Sequence, residues 1–263
     1  MTEQTAELVH KYSENGITTL TLNQPEKKNS LSMAMLEALS EELEIIASDT
    51  ETRVVVLAAH GNVFCAGHDL REVREQFDSH EFQLALFNQC SKVMQQIVNL
   101  PRPVIAGVAG VATAAGCQLV ASCDLAVAAD TARFATPGVN IGLFCSTPMV
   151  ALSRNVSRKH AMEMLLTGEM IGAVKAERIG LVNQIVDEQH LDEMVYKLAR
   201  TIADKSGHTL KIGKEAFYRQ LEMPLEDAYE YTSKVMADNM MANDAQEGIC
   251  AFLERRKPEW QDS

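Results

Sequence analysis

An α/β architecture with a helical C-terminal region is what the residue pattern predicts. Three observations carry that expectation. Short β-branched runs alternate with helical periods through the first two-thirds of the chain, glycines and small residues mark the strand-to-helix turns, and after Pro148 the pattern is almost wholly helical. At 263 residues, with 46% hydrophobic and 23% charged residues, the chain can bury one sizeable core.

The stretch "LVHKYSENGITTLTLNQP" reads as a hairpin, two alternating runs around Asn15-Gly16 that stop at Pro25. In "SLSMAMLEALSEELEIIASD", Leu36, Leu39, Leu43 and Ile46 recur at helical spacing, with Ser30 or Ser32 as the cap. "RVVVLAAHG" is a strand buried on both faces. A polar amphipathic helix runs from about Glu81 to Asn99 and ends at Pro101. The plan then repeats: "PVIAGVAGVA" is a strand, "AAGCQLVASCD" a helix, and "LAVAAD" and "ARFAT" are strands with largely parallel pairing. The helical remainder sets a boundary near residue 200, giving an α/β core over 1–199 and a helical region over 200–263. Met236, Met240 and Met241 fall at helical spacing and read as core or subunit-interface packing.

Charge and cysteine usage narrow the partners. A formal net charge of -12 argues against nucleic acid, because phosphate binding needs clustered cations, and only "KK" at 27–28 and "ERRK" at 254–257 offer them. The six cysteines are dispersed, with no CxxC pair and no Cys/His spacing for a metal, so they read as reduced thiols. "MTEQTAELVHKYSENG" shows no apolar or arginine-rich leader, and no apolar run reaches the length of a membrane span. A soluble, cytoplasmic protein is the resulting expectation.

Two glycine-bearing turns carry the chemical signal. In "VFCAGHDLREV", residues 63–73, Ala66 and Gly67 allow a ligand close to the backbone. In "GVATAAGCQL", residues 110–119, Ala114, Ala115 and Gly116 open a helix whose first N–H groups lack intrahelical partners. Each turn alone reads equally well as tight packing. Together, two backbone donors from separate turns are what an oxyanion hole requires, and each is worth roughly 10²–10³ in rate.

The ordered motifs "PEKKNSLS", "VVVLAAHGNVFCAGHDL", "RPVIAG", "GVATAAGCQLVASCDLAVAAD", "RFATPGVNIGL", "AERIGLVNQIV" and "AFLERRKPEW" resemble the crotonase superfamily of enoyl-CoA hydratases and isomerases, from about residue 8 to Trp260. The nearest likeness is to its enoyl-CoA hydratase domain-containing branch. The resemblance implies a crotonase-like spiral of ββα units with a C-terminal helical trimerisation region, assembled as a homotrimer or homohexamer. It implies an acyl-CoA substrate, coenzyme A entering only as part of it, with no metal and no separate cofactor. By the same resemblance the N–H groups of His68 and Ala115 hold the thioester oxygen. Ala66, Asp69 and Leu70 line the adenine and pantetheine path, Gly116 and Leu143 border the substrate, and Lys27 or Lys28 with Lys257 of a neighbouring subunit lie near the phosphates.

The departures decide the chemistry. The family's two catalytic glutamates correspond here to Gln118 and Gly138. An amide orients water but takes up no proton, and glycine has no side chain. Losing both groups leaves hydration without acid–base help worth roughly 10²–10⁴ per group. The isomerase route, which keeps only the second glutamate, is closed as well. "AGHD" resembles the methylmalonyl-CoA decarboxylase branch, whose proton-donor position falls at Cys145. Cys145 is then a proton donor, a thiolate nucleophile or a packing residue. The His68 imidazole acts, covers the thioester or faces solvent, and Ser146 or Thr147 could hold a water. The readings that follow are a thioester-processing enzyme that uses an enolate, a decarboxylase or thioester hydrolase, or a silent acyl-CoA-binding subunit.

Overall fold

The computed structural model describes residues 7–263, so the first six residues of the leader reading lie outside the described part. The chain winds as a spiral of β-β-α turns. β1 (Val9–Glu14) and β2 (Ile17–Leu22) form the hairpin, with Val9 opposite Leu22. Asn15 at φ 52° and Gly16 at φ 76° supply the two positive dihedrals that such a tight turn needs. In α1 (Met33–Ser48) all four predicted apolar positions are buried, and Ser32 is the cap, its hydroxyl accepting from the Met35 N–H at 3.2 Å.

The following turns share one plan. β3 (Val54–Ala59) and β4 (Val63–Cys65) lead to α2 (Leu70–Glu75) and α3 (His80–Asn99). β5 (Val104–Val108) and β6 (Val111–Thr113) lead to α4 (Ala115–Ser122). β7 (Leu125–Ala129) and β8 (Arg133–Ala135) lead to α5 (Pro148–Asn155) and α6 (Arg158–Thr167). β9 (Ile171–Gly172), α7 (Ala173–Arg178) and β10 (Gln184–Val186) finish the spiral. The first strand of each pair enters a six-stranded sheet of order β1-β2-β3-β5-β7-β10, and the second enters a four-stranded sheet of order β4-β6-β8-β9. Apart from β1–β2 and β8–β9, the pairings are parallel.

Two sequence expectations need correction. "PVIAGVAGVA" is two strands in two sheets, because the chain crosses over at Gly110, held at φ 70° where a Cβ would meet the Asn62 carbonyl oxygen at 2.0 Å. The boundary at 199/200 cuts through α8 (Leu191–Ala203), which packs on β2, β3, β5 and β7 and so belongs to the core. The C-terminal helices begin at Gly207: α9 (Gly207–Gln220), α10 (Leu225–Met240) and α11 (Asn243–Glu254). Within the stretch read as almost wholly helical, β9 and β10 are short strands.

Buried Lys214 ties α9 to the core. Its Nζ donates to the carbonyls of Ile97 (2.9 Å) and Arg102 (3.0 Å) and pairs with Asp124 Oδ2 at 2.7 Å, while the Tyr218 hydroxyl donates to Asp124 Oδ1. Asp124 follows α4 closely, so this network anchors the C-terminal helices next to the helix that carries Ala115. Met236, Met240 and Met241 are exposed in the single chain, which removes the core half of their reading.

Candidate active site

The two turns meet. Ala66 N–H donates to the Lys28 carbonyl at 3.1 Å, the Thr113 hydroxyl donates to the Ala66 carbonyl at 3.1 Å, and the Leu31 N–H donates to the Gly67 carbonyl at 2.8 Å. Gly67 stands at φ 89°, and a Cβ there would lie 2.9 Å from Ala114 Cβ and 3.4 Å from Ala115 N. A Cβ on Gly116 would lie 2.2 Å from the Cys65 carbonyl oxygen. Both glycines exist because the backbones touch. Among the described residues, neither the His68 N–H nor the Ala115 N–H donates to any partner. For Ala115 the reason is local, since it opens α4 and has no carbonyl one turn behind it.

Ala114 joins the two features. Its backbone sits at φ 50°, ψ -118°, and its own N–H donates to the Ala135 carbonyl at 2.9 Å. Side-chain-bearing residues avoid this conformation at a cost of about 1–3 kcal/mol, and it fixes the peptide plane that presents the Ala115 N–H. Ala114→Gly removes that strain. It should raise stability by about 1 kcal/mol in a denaturant melt.

Beyond the turn lie polar groups with nothing to bond. Gln118, 4% exposed, has a buried Oε1 with no partner, and Thr136, 1% exposed, has an unpartnered Oγ1. An unmet buried polar atom costs about 1–3 kcal/mol. Thr136 was not singled out from the sequence, where it only ends "ARFAT", read as a strand. Gly138 is enclosed: its N–H donates to Cys145 Sγ at 3.4 Å, and its carbonyl accepts from the Leu143 N–H at 2.9 Å. A Cβ on Gly138 would stand 2.7 Å from the Leu143 carbonyl oxygen and 2.9 Å from Cys145 Sγ. The position lacks both a carboxylate and the room for one.

Burial also pushes the Cys145 thiol upward, and that of Cys117 up to about 12. Cys145 is therefore a thiol at neutral pH, and its environment gives no support to a thiolate nucleophile. The only fully buried carboxylate residue among the described residues is Asp244, in α11. Asp69 caps α2 by accepting from the Arg71 N–H at 2.9 Å, and Glu72 accepts from the Met33 N–H at 3.0 Å.

The His68 ring is held in place. Nδ1 lies 3.1 Å from the Leu31 carbonyl oxygen, which can only accept, so that nitrogen carries the hydrogen. The ring meets Phe87 edge-to-face at 5.3 Å and 83°, and Nε2 is buried without a partner. Burial lowers the imidazole below its ordinary range and keeps it neutral.

Lys27 and Lys28 are exposed on the turn whose Lys28 carbonyl holds Ala66; Leu70 and Leu143 are exposed, and Asp69 is half-buried. Lys257 is exposed in the tail after α11. None of that tail's hydrogen bonds reaches the 25–31 turn.

Fold and site together define a crotonase-fold protein, and residues 12–263 match the Enoyl-CoA hydratase/isomerase family. The chain belongs to that family, whose members act on coenzyme A thioesters. Within it, the chain falls in the enoyl-CoA hydratase domain-containing branch. It is 50% identical over 246 residues to human enoyl-CoA hydratase domain-containing protein 3, mitochondrial, spanning 94% of this chain and 81% of that one. A crystal structure of an enoyl-CoA hydratase from Mycobacterium smegmatis superposes with a TM-score of 0.94 at 53% identity, covering 96% of this chain and 98% of that one. The crystal structure of the human domain-containing protein 3 gives 0.93 at 49% identity, covering 96% and 100%.

The cytoplasmic expectation is overturned. The human, Xenopus laevis and Rattus norvegicus relatives are all named as mitochondrial, and a cytoplasmic location does not stand against those names. The reduced cysteines reported on redox state alone, and that criterion does not separate the two compartments. Among the described residues, no helix is long and apolar enough to cross a membrane.

Proposed function

We propose that the protein processes acyl-CoA thioesters by holding the carbonyl oxygen between the His68 and Ala115 N–H groups and stabilising an enolate there, without the carboxylate pair that hydration uses. The observation that carries this reading is that both N–H groups are unspent on touching turns, while residue 118 is an amide and residue 138 is enclosed. Each donor contributes roughly 10²–10³ in rate, whichever thioester reaction follows. In this reading Ala66, Asp69, Leu70, Gly116 and Leu143 border the substrate. Lys27, Lys28 and a neighbouring subunit's Lys257 meet the phosphates, in a homotrimer or homohexamer that covers the exposed apolar residues of α10 and α11, such as Leu225 and Phe252.

Decarboxylation of a carboxyacyl thioester is the second reading, favoured by the missing acids: loss of carbon dioxide forms the enolate with no base. The test is incubation with crotonyl-, methylmalonyl-, malonyl- and acetyl-CoA, each followed by mass. We expect crotonyl-CoA to remain almost unhydrated while another thioester is consumed. Hydration of crotonyl-CoA at the rate of a glutamate-bearing hydratase would overturn the proposal. Thioester binding with no turnover of any of the four would leave a silent binding subunit instead.

A further inference from the structure

We propose that Thr113 is the positioning residue of this site: its hydroxyl, acting through the Ala66–Gly67 peptide, sets where the His68 N–H stands relative to the Ala115 N–H. This rests on the thioester-binding reading above and adds what keeps its two donors in register. Thr113 ends β6 just before the turn into α4, so its own backbone leads to the second donor. Its side chain reaches the other turn, where Oγ1 donates to the Ala66 carbonyl at 3.1 Å. One residue therefore joins the two segments that carry the N–H groups.

The need for such a bond lies in Gly67. Two peptide planes lie between Ala66 and His68, and a glycine at φ 89° between them restrains neither. The second plane is held by its carbonyl, which accepts from the Leu31 N–H at 2.8 Å. The first is held at its carbonyl by Thr113. The β4–β6 ladder does not reach this far. Its register shifts between Val63 and Cys65, and its last pair is Cys65 with Ala112, just before both turns. The Thr113 hydroxyl carries the pairing one step further, from side chain to backbone.

The opposite wall is independent of Thr113. Ala66 N–H donates to the Lys28 carbonyl, and the turn that offers this carbonyl is locked by Asn29, fully buried at φ 50°. Asn29 Oδ1 accepts from the Gln24 N–H, and its Nδ2 donates to the carbonyls of His60 and Val63, all at 2.8 Å. Removing the Thr113 hydroxyl leaves that wall intact and loosens the segment only on the side of Ala115. The competing role for Thr113 is that of a β-branched strand residue whose hydroxyl merely satisfies the nearest carbonyl. Valine would fill that role equally well.

The experiment reads the carbonyl stretch of butyryl-CoA, isotopically labelled at the thioester carbonyl carbon, by difference infrared spectroscopy on the full chain. Two donors aimed at the oxygen weaken the C=O bond, so the parent's band should lie below that of the same thioester in water. Thr113→Val keeps the shape without the hydroxyl, and Thr113→Ala removes the hydroxyl with less bulk. Both should move the band back toward its position in water, and Thr113→Ser, which keeps the hydroxyl, should hold it at the parent's position. Coenzyme A without an acyl group should bind the parent and all three variants equally. A band unmoved in the valine and alanine variants, or displaced as far in the serine variant, would overturn the assignment. A parent that does not bind butyryl-CoA, or binds it with the band at its aqueous position, would overturn the thioester reading and the assignment with it.

Discussion

Replacing Gly67 with alanine will lower thioester turnover about 10²–10³-fold, the loss expected for one misplaced oxyanion donor. The added Cβ would fall 2.9 Å from Ala114 Cβ, 3.1 Å from the Thr113 carbonyl oxygen and 3.4 Å from Ala115 N. None of these is the loose end of a long side chain. The two turns must move apart, and they are the turns that bear the two free N–H groups. The positive φ of 89° adds strain of about 1–3 kcal/mol, so a thermal melt will shift as well. Gly180→Ala separates the two effects. Gly180 has φ 85° but its nearest contact is the Asn155 carbonyl oxygen at 3.5 Å, away from both turns. It should lose comparable stability and keep its turnover. Equal turnover in the two variants would mean that the contact between the turns has no part in catalysis.

What could be read from the residues follows from how local the cause is. The Asn15-Gly16 turn and the Leu36, Leu39, Leu43 and Ile46 stripe need only their neighbours, and both stand as read. The switch of sheets at Gly110 depends on the Asn62 carbonyl, a contact across two strands that no periodicity displays. The boundary near residue 200 fell inside α8 because an amphipathic pattern does not say which surface its apolar face covers; that surface is the large sheet. At the site, residue identities were legible while occupancy of space was not. Gln118 is visibly an amide in any reading. That position 138 is shut by the Leu143 carbonyl and Cys145, or that the His68 ring is clamped by Leu31 and Phe87, arises from residues brought together only by folding. The unused state of the two N–H groups among the described residues likewise depends on folding, since any nearby carbonyl could have consumed them.

The enclosure of Gly138 also changes what restoring the lost acids should do. Gln118→Glu alone should raise crotonyl-CoA hydration about 10²-fold from a near-zero base, the lower end of what one positioned acid–base group supplies. The new carboxyl enters a buried site, so burial lifts its pKa above the unfolded value of about 4.3. The sign of the linkage follows. The folded state prefers the protonated acid, so the variant's stability relative to the parent is highest below the ordinary glutamate range and falls as pH rises through the lifted pKa. Hydration should climb over that same interval, because only the ionised carboxyl can take a proton from water. Adding Gly138→Glu should not help. Its Cβ must displace the Leu143 carbonyl, a backbone atom, and the Cys145 sulfur, an overpacking that costs about 1–3 kcal/mol before the carboxyl is even placed. The double variant should therefore melt lower than the single one and hydrate no faster. A double variant that hydrates faster would show that the 138–145 loop yields easily, and the closed position at Gly138 would then not be what bars hydration in this chain.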